Sequence, residues 1–407
     1  MLYIFKLYKD SFTGLRKEVW WLALVTLVNR AGTMVVPFLS LYLTESLKYT
    51  LEDVGWVLTA FGLGSVIGSW LGGKLTDKLG YYPVMFWSLM SSGLLFVLIQ
   101  FIESFWGFCV GIFSVMLVAD SFRPALFVAI NSYCEPENRT RSVSLIRLAI
   151  NLGFSFGPAI GGLIIANISY AGLFWIDGVT CVLSALLFIS VLNKTDRKEE
   201  KERSEAKEQT ISPYRDRVYM LFLFIVVLTG FAFLQYFSTV PLYYRDRHHL
   251  SEEYVGWLMA LNGMLIFIFE MPIVKYFENP RFSIYSILFL GTMMFAGSFL
   301  VLNLMDWRGM LLLGMVLMSF AEILNFPFLN SFAMTRGQGS NLGGYMALFT
   351  MAFSVSHILG HNSGMQLIDH IGFNATWYIM TGCLVLAALL ILVLKKLIKK
   401  EEVSEQG

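Results

Sequence analysis

Twelve apolar runs, most of them of about 20 residues or more, the length that crosses a bilayer as a helix, constrain this chain more than any other feature. They lie near 19–44, 53–73, 82–102, 106–133, 141–168, 171–192, 218–243, 254–275, 282–303, 309–334, 341–368 and 373–394. In hydrocarbon every backbone N–H and C=O must find a partner inside the protein, so a spanning segment is a helix or part of a closed barrel. Runs of this length match helical spans. The chain therefore reads as an all-α membrane protein with twelve transmembrane helices. Its mean hydropathy of +0.64 agrees, as do 56% hydrophobic and 14% charged residues in 407. The first run is too long for a cleaved signal peptide and reads as a helix that stays.

Charge then sets the topology. If both ends lie inside, 23 of the 30 Lys and Arg fall in cytoplasmic segments and only Lys48, Arg245, Arg247 and Arg308 in outer loops. The positive-inside rule favours that arrangement, which implies an inner-membrane, multi-pass protein with both termini cytoplasmic. The net charge of +1 gives no reason to expect nucleic acid. Cys109, Cys134, Cys181 and Cys383 lie in or beside apolar runs, with neither a disulfide framework nor a zinc spacing.

The only long hydrophilic stretch is KTDRKEEKERSEAKEQTISPYRDR, Lys194 to Arg217. Dense mixed charge cannot bury itself, so this is a linker or a surface helix. It divides the chain into a six-helix bundle at 1–193, a linker at 194–217 and a second six-helix bundle with a short tail at 218–407. The halves echo each other. VGW recurs at 54–56 and 255–257, Pro124 matches Pro327, and Gly157 and Gly161 match Gly360 and Gly364, all at nearly one offset. Parallel repeats of this kind place a substrate site between the halves, near the bilayer midplane.

Two motifs carry conformational chemistry. GGKLTDKLGYY, Gly72 to Tyr82, is a charged turn between two spans. A carboxylate such as Asp77, held by cations or by a helix N-terminus, makes a latch between helices; a plain turn is the alternative. GFSFGPAIGGL, Gly153 to Leu163, puts glycines at 153, 157 and 161 on one helix face, which lets another helix approach closely. Pro158 is expected to bend that helix. A pivot at the interface of the halves is one reading and ordinary packing the other.

The first turn resembles the loop motif of the major facilitator superfamily, G-x-L-x-D-R-x-G-R-R, through Gly73, Leu75, Asp77 and Gly80; Lys78 stands for the usual Arg, and Tyr81 and Tyr82 for the basic pair. Gly153, Gly157, Pro158, Gly161 and Gly162 resemble the fifth-helix motif of the superfamily's drug:proton antiporters. The resemblance spans essentially the whole chain. It implies two pseudo-symmetric six-helix bundles, alternating access and no cofactor, in a carrier rather than an enzyme. Gly73, Asp77, Lys78, Gly80 and the fifth-helix residues would then be conformational.

Charges inside the hydrocarbon region cost several kcal/mol unless paired or wetted, so each is a functional candidate. In the first half these are Arg30, Asp120, Arg123, Arg147 and Asp177, and in the second Glu270, Glu322, His357 and His361. Asp120 and Arg123 are one turn apart and can pair. Arg123 resembles the fourth-helix arginine implicated in proton coupling in family antiporters. Arg147 reads equally as a cavity or a snorkelling residue, and Asp177 as structural. Glu322, mid-span with Asn325 and Pro327 following, is the leading proton-coupling candidate and Glu270 the second, with Asp120, Arg123 and His361 also candidates. Histidine titrates near neutral pH, and His357 and His361 share one face; polar packing is the alternative, and no metal site is expected. Substrate-lining candidates are Arg30, Asn29, Arg123, Arg147, Gln235, Tyr236, Asn325 and His357. Cations in the first half and carboxylates in the second would suit a zwitterion or an anion, with Arg30 or Arg123 for a carboxylate.

The chain has no phosphate-binding loop, so an ion gradient, most simply protons, is the expected energy source. The leading expectation is proton-coupled efflux of a small drug-like compound by a monomer in the lipid bilayer. The alternatives are proton-coupled uptake of a small zwitterion or anion, and a transport-inactive sensor.

Overall fold

In the computed structural model, residues 10–167, 169–192, 212–250, 252–337 and 341–406 are described. Most of the expected linker lies outside them. The described residues form helices joined by short turns. In chain order these are α1 (Lys17–Ala31), α2 (Val35–Leu41) with a following π-helical turn (Tyr42–Ser46), α3 (Leu51–Leu79), α4 (Tyr81–Ile99), α5 (Phe105–Ala119), α6 (Phe122–Tyr133), α7 (Arg139–Asn167) and α8 (Ala171–Val191). After the linker come α9 (Arg217–Ser238), α10 (Val240–Asp246), α11 (Glu252–Phe277), α12 (Ile284–Leu304), α13 (Arg308–Arg336) and α14 (Leu342–Gln406). Gly372, at φ 77°, divides α14 into two spans.

Ten described stretches are long and apolar enough to cross a membrane. The first span falls outside that set because a break divides it into pieces of 15 and 7 residues. The 29-residue α7 completes the twelve.

Helix ends follow local chemistry. Thr50 opens α3 with a capping box: its hydroxyl accepts from the Asp53 amide, and the Asp53 carboxylate accepts from the Thr50 amide. Asp216 opens α9 by accepting from the Tyr219 amide at 2.9 Å. Gly80 separates α3 from α4 at φ +87°, a conformation that favours glycine.

Three expected spans are not single helices. The first breaks at Gly32–Met34, the fourth at Asp120–Ser121 and the seventh at Thr239. A break frees backbone groups that must be re-satisfied inside the protein. At the fourth span, Ser121 donates to the carbonyls of Gly68 and Leu117 at 3.0 and 2.8 Å.

The helices sort into two compact units. One contains 14–210 with 337–351; the other contains 1–13, 211–336 and 352–407. The sequence reading assigned 337–351 wholly to the second bundle; by contacts it groups with the first. In the first unit α1 packs on α7 and α8, α3 on α5, and α4 on α8. Its core includes Val35, Leu39, Phe108, Ile112 and Phe174, with Tyr42 edge-on to Phe174 at 4.9 Å. In the second unit α12 and α11 pack on α13. Trp377 is fully buried there among Tyr243, Phe299 and Phe373. Outward faces carry exposed Trp87, Trp106, Leu163 and Leu389, an apolar surface suited to lipid.

Candidate functional site

The interior of the first unit is built around the break in its first span. The glycine face of α7 seats directly on it. A Cβ on Gly153 would lie 2.6 Å from the Arg30 Cβ and 2.9 Å from the Ala31 amide nitrogen. One on Gly157 would lie 2.9 Å from the Thr33 carbonyl oxygen, and one on Gly161 2.9 Å from the Phe38 ring. The residues against the stripe thus belong to α1 and α2 of the same half, whereas the pivot reading looked to the interface of the halves. The side-chain environments of Pro158, Gly162 and His361 lie outside what the structure describes.

Asp177 of α8 holds the break open. Its two carboxylate oxygens accept from the Met34 and Val35 amides at 2.9 and 3.0 Å. These are N–H groups at the start of α2, where a negative charge also meets the positive end of the helix. Asp177 is 2% exposed. It is a buried helix cap, which agrees with a structural role for it.

Beside the break lies a cavity of about 70 Å³ lined by Asn29, Arg30, Thr33, Ser92, Asp120 and Asp177, among others. It has room for several waters, each of which needs about 10–15 Å³ by the same measure. Asp120 and Arg123, across the break in the fourth span, approach to 3.9 Å. Asn29 reaches the Cys181 sulfur at 3.4 Å. The Arg30 guanidinium lies over the Phe154 ring, 5.6 Å from its centroid. Among the described residues Arg30 has no hydrogen-bond or ion-pair partner, and its Nε is sealed from solvent. Arg147 sits half-buried on α7, away from the lining set of this cavity.

The second unit treats its polar residues differently. Gln235, Tyr236 and Asn325 were expected to line a cavity, but all three are buried in packing contacts. Gln235 donates to the Gly360 carbonyl at 2.9 Å and accepts from the Thr239 hydroxyl at 2.9 Å, tying α9 to α14. Tyr236 packs against Phe299 with centroids 4.9 Å apart. Asn325 accepts from the Thr292 hydroxyl at 2.9 Å and donates to the Ala321 carbonyl, joining α12 to α13. Glu322 is also buried, and its carboxylate accepts from Asn262 of α11 at 3.2 Å. The same Asn262 amide reaches the Ser319 hydroxyl at 3.1 Å. Glu270 is fully buried on α11, whereas His357 is exposed on α14.

At the loop motif, Asp77 accepts from two successive backbone amides at the start of α14, Gly343 at 2.7 Å and Gly344 at 2.8 Å. The carboxylate is held by a helix N-terminus. Gly73 permits the approach: a Cβ there would lie 2.3 Å from that of Ala347. Lys74 instead stacks over the Trp70 ring at 3.8 Å, and Lys78 is exposed.

The family model described as Major Facilitator Superfamily matches residues 22–361. The chain belongs to the major facilitator superfamily. Its relatives include an MFS-type transporter, YqjV, of Bacillus subtilis, 23% identical over 89% of both chains. The quinolone resistance protein NorA of Staphylococcus aureus is also 23% identical, over 89% of this chain and 92% of its own. Among solved structures, the human organic anion transporter MFSD10 superposes with a TM-score of 0.74 at 17% identity, over 92% of this chain and all of the other. That likeness concerns the fold.

As a superfamily member the protein is a multi-pass membrane transporter of small molecules and not an enzyme. Two features of this carrier escaped sequence reading. Gly64, Gly68 and Gly72 form a second stripe, whose added Cβ atoms would lie 2.3 to 2.5 Å from backbone atoms of Phe113, Leu117 and Ser121. Its four-residue spacing was available to find it. Arg336 bridges Asp216 and Glu401, each at 2.7 Å; these residues are far apart in the chain, and nothing local announces the cluster.

Proposed function

We propose that the protein is a proton-coupled exporter of small organic compounds in the inner membrane, with both termini cytoplasmic. Glu322 carries this reading. It is a buried carboxyl in the middle of a membrane-length helix, and its carboxylate accepts from the neutral amide of Asn262. A group of that kind can be neutral when protonated and costly when charged, which is what a proton carrier needs. The Asp120–Arg123 pair, at 3.9 Å across a helix break, is loose enough to exchange partners during the cycle. Asp77 on the start of α14 serves as a conformational latch. The relative named for quinolone resistance favours export over uptake.

The test is transport in liposomes containing a pH-sensitive dye, with an imposed proton gradient and a panel of cationic, zwitterionic and anionic compounds. Substrate and proton moving in opposite directions, with proton movement lost in Glu322→Gln, is the expected result. Movement in the same direction would replace export with uptake. Undiminished proton movement in the variant would remove Glu322 from the mechanism.

A further inference from the structure

Around the first-half cavity Arg30 and Arg123 face Asp120 and Asp177, so formal charge balances, but hydrogen bonding does not. Asp177 is committed to two amides at the start of α2. Asp120 lies within 3.9 Å of Arg123. Arg30 remains, with five N–H donors and, among the described residues, no hydrogen-bond or ion-pair partner. Asp120, on the same cavity wall, attracts it through space without a hydrogen bond, and its guanidinium lies over the Phe154 ring at 5.6 Å. An arginine deep in a membrane protein is expensive and is normally paired or wetted. Here its Nε is buried and unpartnered, and the guanidinium lines a polar cavity.

The cavity's size and chemistry select what could pair with it. Drug-sized ligands occupy pockets of about 300–1,000 Å³, and about 70 Å³ is far less. It accommodates a head group, not a whole molecule. Arg30 offers planar, bidentate donors, the geometry that matches a carboxylate. Asn29, Thr33 and Ser92 add neutral polar groups along the wall. The Phe154 ring backs the cation without neutralising it.

We infer that this cavity is a carboxylate subsite anchored by Arg30, so that the transported compounds carry a carboxylate head whose organic remainder projects from the cavity mouth. The inference rests on the reading of the protein as a carrier of small organic compounds and narrows its substrate class.

The test is binding to the detergent-purified full-length protein, read by thermal shift and by tryptophan fluorescence. Benzoate is the probe, with benzamide as its uncharged counterpart and sodium chloride at matched ionic strength. Saturable benzoate binding, with benzamide and chloride at least about tenfold weaker, is expected, since a charge-assisted bond is worth about 1.5–3 kcal/mol. Arg30→Gln should lose about tenfold or more in benzoate affinity, and Arg30→Lys, which keeps the charge but not the fork, should fall between. If Arg30→Gln does not fold, Arg30→Lys and Phe154→Leu carry the comparison, and both must weaken benzoate more than benzamide. No saturable benzoate binding, equal binding of benzamide or chloride, or unchanged affinity in the Arg30 variants would overturn the subsite. Benzoate binding without coupled proton movement in liposomes would defeat the proton-coupled exporter and leave the carboxylate subsite standing.

Discussion

The two halves break their first span at related places and resolve the break in opposite ways. In the first half, α1 ends at Ala31 and α2 begins at Val35, and the freed amides are taken by Asp177 from a third helix. In the second, α9 ends at Ser238 and α10 begins at Val240, and Gln235 of α9 itself fills the space, bonded to Thr239 and Gly360. Both halves face the break with glycines of the fifth or eleventh span. Gly153 and Gly157 meet backbone; Gly364 meets the Gln235 side chain, whose oxygen would lie 2.0 Å from an added Cβ. The result is a polar cavity holding Arg30 in one half and a filled notch in the other. Among the described residues, the first copy keeps an open polar site at this break and the second fills the corresponding place with Gln235.

Substitutions can break this contrast, and the largest effect is expected at Asp177. Asp177→Ala removes the carboxylate from the Val35 amide and leaves the Met34 amide only its bond to the Gly32 carbonyl, at about 1–3 kcal/mol for the amide left unpaired. A sharp drop in melting temperature and in monodisperse yield is expected on thermal melting and gel filtration. The glycine faces come next. Gly153→Val drives a branched side chain into the α1 backbone and should cost about 1–3 kcal/mol by overpacking. Gly360→Ala meets Leu234 side-chain atoms at 3.1 Å, which can give way, so its melting temperature should stay close to the parent. Gln235→Leu removes the bridge between α9 and α14 and leaves the Gly360 carbonyl short of one bond. A loss of about 1–2 kcal/mol is expected, smaller than at Asp177 because no buried charge is involved. The smallest effect belongs to the latch. Asp77→Asn weakens a carboxylate at a helix N-terminus, worth about 0.3–1 kcal/mol when exposed, and should change transport rate a few-fold with little change in melting.

The membrane fold was largely legible, because span length and the hydrocarbon constraint leave few alternatives. The loop motif and the glycine spacing were legible as patterns. The breaks were legible only in part: Pro37, Pro124 and Pro241 follow Gly32, Asp120 and Thr239 closely and are a local signal, but the partners that satisfy the first break are tertiary. Asp177 is 143 positions from the amide it caps at Met34, and no local pattern joins them. The same limit explains Gln235, Tyr236 and Asn325. A polar or aromatic residue in a span is equally suited to line a cavity or to tie two helices, and only the neighbours decide. Arg30 stood out in sequence because an intramembrane cation is costly wherever it points. Its lack of a described partner emerged only once Asp120 and Asp177 were seen to be engaged elsewhere.

The contrast between the halves is tested most directly by thiol accessibility. In a background with the four native cysteines replaced by serine, Thr33→Cys reports on the cavity and Thr239→Cys on the notch. Each variant is treated with an anionic sulfonatoethyl methanethiosulfonate and with its cationic trimethylammonioethyl analogue, and labelling rates are compared. The account predicts that Thr33→Cys reacts, and faster with the anionic reagent because of Arg30, while Thr239→Cys reacts with neither. Comparable labelling at both positions, or a preference for the cation at Thr33→Cys, would contradict it.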